Sequence, residues 1–117
     1  MKKIGLVLLV AIFGWFWFTR SQETDNYDAF AQCLTESGAK EYGAFWCPHC
    51  SDQKKMFGSS WEYVTYIECS NPDKTQNQTC QEAGIESYPT WEFGDGSRVS
   101  GLLSFEQLAE KTACLLE

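Results

Sequence analysis

Residues 41–57 read EYGAFWCPHCSDQKKMF, and no other stretch restricts the fold as much. Residues 41–46 are short, aromatic and bounded, the pattern of a buried strand. Residues 47–57 then read as a helix, with Pro48 in its first turn and Gly58 just past its end. A Cys-x-x-Cys pair therefore stands where a strand passes into a helix. The first turn of a helix carries unsatisfied N–H groups and a partial positive charge, which stabilise a thiolate at Cys47. A protonated His49 would add to this. Cys50 lies one turn along, within reach of a disulfide to Cys47 and more sheltered. The pattern is that of an exposed attacking sulfur and a buried resolving one. The competing readings are a structural disulfide and half of a zinc site. Zinc normally needs a second paired cluster, and this chain has one Cys-x-x-Cys. The expectation is a redox-active Cys47–Cys50 pair, with no metal and no other cofactor.

Charge is distributed unevenly around that motif. Lys2, Lys3 and Arg20 are the only charged residues among the first twenty, and all 16 Asp and Glu and all 6 Cys lie beyond them. Residues 4–18, IGLVLLVAIFGWFWF, carry no charge and follow two lysines, which reads as an N-terminal anchor or a secretory signal. The run is short for a bilayer, which takes about 17–25 helical residues, but snorkelling lysines extend it. Trp15 and Trp17 suit the far interface. The exit of the run is bulky, so an uncleaved anchor is favoured over a cleaved peptide, and a buried core helix is the remaining alternative. Lys2 and Lys3 would stay cytoplasmic, leaving the rest on the extracytoplasmic side, periplasmic or cell-surface. The expected organisation is an anchor or signal at 1–20, a polar linker at 21–26 and one domain at 27–117.

The 117 residues suit a single domain. A charged fraction of 21% and 5 Trp exclude a disordered chain. The net charge of −7 argues against a nucleic-acid partner, which would call for a basic patch. Tyr27, Phe30, Ala31 and Leu34 fall on one helical face, closed by Gly38. Residues 61–69, WEYVTYIEC, are rich in β-formers and read as a second buried strand. Residues 71–79 read as a loop and 80–83 as a short helical turn ended by Gly84. Residues 90–93 and 98–100 flank Gly94-Asp95-Gly96, a hairpin signal. Ser104 with Gln107 forms a capping box, stapled by Leu103 and Leu108, opening a last helix to about Leu115. The order α-β-α-β-α-β-β-α predicts an α/β fold. Its mixed four-stranded sheet would have parallel crossovers, an antiparallel final hairpin and helices on both faces. Its expected core holds Tyr42, Ala44, Val64, Ile67, Trp91 and Phe93.

Two residues outside the Cys-x-x-Cys fit redox chemistry. Glu41, six positions before Cys47, would lie beneath the disulfide and relay the proton of Cys50; the alternative is an exposed strand-end Glu. Pro89 starts a strand, where a cis peptide would bring Tyr88 beside the disulfide and leave an edge for an extended peptide. An ordinary trans proline is the alternative.

Together, Cys47-Pro48-His49-Cys50, Glu41 and Tyr88-Pro89-Thr90 resemble the thioredoxin superfamily. The stretch from Tyr42 through Trp46 to Gly58, continued by Tyr66-Ile67-Glu68-Cys69, Cys80, Gly84-Ile85 and Tyr88 to Trp91, is similar to one of its branches. That branch is the thioredoxin-like domain attached to vitamin K epoxide reductase homologues. The likeness covers roughly residues 30–108. It implies a thioredoxin-like fold and thiol–disulfide exchange with exported cysteine-containing proteins. It also implies reoxidation by a membrane vitamin K epoxide reductase-like or quinone-linked oxidase, here as a separate chain because no four-helix reductase is present. Trp46, Tyr88 and Pro89 would then contact substrate. Cys69 and Cys80 look like that family's structural disulfide, which would close a short loop. Cys33 and Cys114, on the first and last helices, stay open between a bridge and two buried thiols, because those helices would cover opposite faces. Pro48-His49 matches the dipeptide of the strong oxidant DsbA, so oxidation of clients is expected over reduction. A membrane-tethered reductase or isomerase, and a disulfide-stapled binding module without turnover, are the alternatives. A monomer is expected. Asn77-Gln78-Thr79 is a glycosylation sequon on paper.

Overall fold

A computed structural model of the chain describes residues 26–116. The expected anchor, and all of the linker but Asn26, lie outside the described residues. Among those described, no helix is long and apolar enough to cross a membrane.

Helix α1 (Asp28–Glu36) buries Phe30, Ala31 and Leu34 as one stripe. Its first turn is tied to the chain ahead by Ser60, whose hydroxyl accepts from the Tyr27 N–H at 2.9 Å and donates to Asp28 at 2.6 Å. Strand β1 is Lys40–Gly43 and α2 is Pro48–Phe57. A 3-10 helix (Gly58–Tyr63) leads to β2 (Tyr66–Glu68). Then come α3 (Gln78–Ala83), β3 (Thr90–Glu92), β4 (Arg98–Ser100) and α4 (Phe105–Thr112). The four strands form one sheet in the order β2-β1-β3-β4.

The β1–β2 pair is parallel, whereas β1–β3 and β3–β4 are antiparallel. The prediction of parallel crossovers thus holds for one pair alone: β3 returns on the other side of β1, running against it. Glu41 pairs with Trp91 and Tyr42 with Thr90, so Glu41 and Trp91 share a face and Tyr42 points to the other. Trp91 packs with Phe30, Leu34, Phe57 and Leu108, joining α1, α2 and α4. Tyr42, Cys69, Cys80 and Ile85 form a second cluster with the half-buried Ile67. Helices thus cover both faces, and the mixed four-stranded α/β architecture is compatible with a thioredoxin-like fold.

Four boundaries depart from the sequence expectation. The first strand ends at Gly43, because the chain turns there: the Cys47 N–H donates to the Ala44 carbonyl at 3.0 Å, leaving Phe45 and Trp46 exposed. Residues 61–63 are 3-10 helix, not strand. Trp61 packs tilted against Phe57 and Tyr66, with ring centroids at 5.5 and 5.8 Å, and this packing overrides β propensity until the chain extends at Val64. Helix α3 starts at Gln78 because Asn77 caps it, accepting from the Cys80 N–H at 3.0 Å. Helix α4 has the expected capping box but stops at Thr112, where Ala113 turns left-handed at φ 62°.

One buried polar side chain knits these parts together. Gln53 of α2 accepts from Trp91 Nε1 at 3.1 Å and from the Leu103 N–H at 2.9 Å, and donates to the Leu103 carbonyl at 3.0 Å. Replacing it by leucine orphans all three partners, so Gln53→Leu is expected to destabilise the fold by about 2–4 kcal/mol, read as a lower urea midpoint. An unchanged midpoint would show these bonds to be dispensable.

Candidate active site

The junction after β1 sets the two sulfurs. Cys47 is the N-cap of α2 and Pro48 its first residue, a place where proline's missing N–H is no loss. The Cys50 N–H donates to Cys47 Sγ at 3.3 Å, and the Cys47 thiol donates to the Tyr88 carbonyl at 3.7 Å. Both cysteines are unbridged and both are 5% exposed. The expectation of an exposed attacker is thus corrected: Cys47 is shielded by the Tyr88 carbonyl, whose peptide to Pro89 is cis. Pro48 and His49 are exposed, and among the described residues His49 makes no side-chain hydrogen bond.

Trp46 and Tyr88 wall the Cys47 side. Their rings meet edge to face at 5.8 Å. Trp46 Nε1 donates to Ser70 Oγ at 2.9 Å, and Tyr88 Oη accepts from Gln76 at 3.0 Å. Pro89 is fully buried and its carbonyl accepts from the Gly101 N–H at 2.8 Å.

Beneath Cys50 lies the floor of β1. Glu41 is 0% exposed and neither carboxylate oxygen has a hydrogen-bond partner among the described residues. Burial alone pushes its carboxyl up to about 8. The exposed-Glu alternative is thereby removed. Gly43, one pleat along on the same face, leaves the space into which Cys50 and Tyr66 fit. A Cβ there would sit 3.0 Å from Cys50 Sγ and 3.1 Å from Tyr66 Oη. The Cys50 thiol is pushed up to about 12, first by burial and then by its hydrogen bond with Cys47, with the Glu41 charge adding to the rise. The Glu41 charge is therefore felt at the buried Cys50 thiol, although no hydrogen bond joins the two side chains.

The remaining cysteines are paired. Cys69 bridges Cys80, and Cys33 bridges Cys114. The second bridge needs no detour round the sheet, because α1 and α4 lie on the same face: Phe30 and Phe105 meet at 5.7 Å and Tyr27 and Phe105 at 4.4 Å. Asn77 of the nominal sequon is engaged at both ends, its amide donating to the Glu68 carbonyl at 2.6 Å while its oxygen caps α3.

Sequence reasoning gave no site role to Gly43, Gln53, Tyr66 or Glu68. Tyr66 and Glu68 sit in a run of β-formers and read there as sheet residues. Only the β1–β2 register, Glu41 to Tyr66 and Gly43 to Glu68, places them beside Cys50.

No family model matches the chain. Over 95 residues it is 42% identical to the thiol-disulfide oxidoreductase LTO1 of Arabidopsis thaliana, a stretch that is 76% of this chain and 25% of that protein. The chain thus spans about a quarter of the length of that relative.

Proposed function

We propose that this chain is a thiol–disulfide oxidoreductase of thioredoxin-like fold that uses Cys47 and Cys50 to oxidise exported proteins. The observation that carries this reading is the contrast among the cysteines. Four are locked in two bridges, while Cys47 and Cys50 stand unbridged at a helix N-terminus over a buried carboxyl. The relative of the same activity supports it.

Starting from the Cys47–Cys50 disulfide, a client thiolate attacks Cys47 Sγ. A client–Cys47 bond forms, the Cys47–Cys50 bond breaks, and Cys50 leaves and takes a proton from Glu41. A second client thiolate then attacks the client sulfur, releasing Cys47. The client is oxidised by two electrons and the pair is reduced by two. The next cycle needs an oxidant, which we assign to a membrane vitamin K epoxide reductase-like or quinone-linked oxidase. In this reading residues 4–18 hold the chain at the membrane, residues 27–117 face the extracytoplasmic side as a monomer, and Trp46 and Tyr88 contact an extended client, with the buried cis Pro89 fixing Tyr88 beside Cys47. The Pro48-His49 dipeptide, which matches that of the strong oxidant DsbA, supports the oxidising direction.

Cys50→Ser is expected to accumulate mixed disulfides in which the Cys47 thiolate has attacked a client disulfide, because Cys50 is no longer there to displace the client from Cys47. Cys47→Ser should accumulate few. Equal trapping by the two would reverse or remove the assigned roles. A Cys47–Cys50 potential above about −250 mV, toward the oxidising side of thioredoxin, is the second expected result. A lower value would reassign the chain as a reductase.

A further inference from the structure

Cys50 must gain or lose a proton in every turn, yet the acid beneath it has no hydrogen-bonded way out. Glu41 is sealed, and neither of its oxygens has a hydrogen-bond partner among the described residues. A cleft of about 260 Å³ opens onto Cys50 and is lined also by Lys54, Trp61, Tyr66 and Glu68, but not by Cys47 or Glu41. Tyr66 lies between the two regions. It pairs with Glu41 across the strands, and its hydroxyl and Cys50 Sγ flank the same methyl-sized gap over Gly43. The hydroxyl donates to Glu68 Oε1 at 3.0 Å. The other Glu68 oxygen accepts the Phe45 N–H at 3.1 Å and the Ser70 N–H at 3.0 Å, which hold the carboxylate at the cleft wall.

We infer that Tyr66 and Glu68 are positioning residues of the proton route between the Glu41–Cys50 pair and solvent, with Tyr66 Oη handing the proton to or from Glu68 at the cleft. The inference rests on the proposed redox role of Cys50. A phenol hydroxyl has a donor and acceptor lone pairs, so it can take a proton on one side as it gives one on the other without ionising. That neutral relay is required here: burial, the Glu68 contact and the Cys50 and Glu41 charges all push Tyr66 above its ordinary value. The charged and titratable groups around the unit are Glu41 on β1, Cys50 and Lys54 on α2, and Glu68 itself on β2. Trp61 of the 3-10 helix closes the remaining side with an uncharged ring at 5.8 Å. In the step itself, Cys50 Sγ attacks Cys47 of a mixed disulfide. The Cys47–Cys50 bond forms, the Cys47–client bond breaks, and the client leaves as a thiolate. The proton shed by Cys50 passes to Tyr66 Oη across the gap over Gly43 as Tyr66 gives its own to Glu68, and Glu68 releases it to water at the cleft.

The test uses the full chain with Cys47 joined to glutathione by reaction of the reduced pair with glutathione disulfide. Release of glutathione then reports attack by Cys50. Tyr66→Phe keeps the ring against Trp61 and removes only the hydroxyl. Glu68→Gln keeps an acceptor for the two amides. Each is expected to slow release about tenfold near neutral pH, to move the inflection of the pH–rate profile to higher pH and to lower the solvent isotope effect. The double variant should be no slower than either single. Alkylation of Cys47 should stay within twofold of wild type, and Tyr66→His, which restores a proton carrier, should recover part of the rate. Wild-type release rates and profiles in both single variants would overturn the inference. So would parallel losses in Cys47 alkylation and glutathione release, which mark a general loosening. If wild-type Cys47 forms no glutathione adduct, the redox reading itself fails, and the proton route with it.

Discussion

Wild-type stability is expected to fall steadily as pH rises from 4.5 to about 8, and Glu41→Gln to abolish that fall. The cause is the unpartnered carboxyl under α2. Its ordinary value is 4.5, and burial in the fold raises it to about 8. Between those values the folded chain keeps a proton that the unfolded chain has released. The folded state therefore binds more protons, and unfolding free energy drops by about 1.4 kcal/mol per pH unit. The whole fall amounts to roughly 4–5 kcal/mol and is complete above pH 8, where both states are ionised. The surface carboxyls Asp73, Asp95 and Glu92 are all lowered, so their stabilisation is lost only at more acid pH and does not mask the slope. Urea titrations of both proteins at pH 5, 6.5 and 8 would give the comparison. A wild-type curve parallel to that of Glu41→Gln would mean that Glu41 has a partner or access to water.

The second large effect belongs to the bridge between the first and last helices. Cys33 and Cys114 are 81 positions apart and Cys69 and Cys80 are 11 apart. In the chain-entropy account the longer closure stabilises by roughly 4.5 kcal/mol and the shorter by about 3 kcal/mol. The variant Cys33→Ala/Cys114→Ala should therefore unfold at clearly lower urea than Cys69→Ala/Cys80→Ala. The opposite order would show that packing around Cys69 and Cys80, both fully buried, outweighs loop length.

Much of this was legible in the chain wherever a local rule acts locally. Pro48 at the first turn of α2, the Ser104–Gln107 capping box and the Gly94-Asp95-Gly96 hairpin are set by residues next to one another, and each element formed where its signal stood. Errors arose where contacts between distant residues decide. Trp61 looks like a strand residue until Phe57 and Tyr66 are packed against it. Phe45 and Trp46 read as the end of a buried strand until the turn into α2 carries them outward. The direction of β3 depends on how the chain travels from Glu68 to Thr90, which no residue pattern records. The site divides in the same way. Cys47, Cys50 and Glu41 are visible as a spacing along one strand–helix unit, whereas Tyr66 and Glu68 become neighbours of Cys50 only through the β1–β2 register.

The Cys33–Cys114 bridge also changes the topology of the molecule. With it closed, residues 33–114 form a covalent ring from which only the two chain ends emerge. Tension applied to those ends runs across a single sulfur–sulfur bond and bypasses the sheet, both thiols and the cleft. A single proteolytic nick anywhere in the ring releases no fragment. A domain pulled at its ends would thus keep its reactive centre unloaded for as long as that one bond holds.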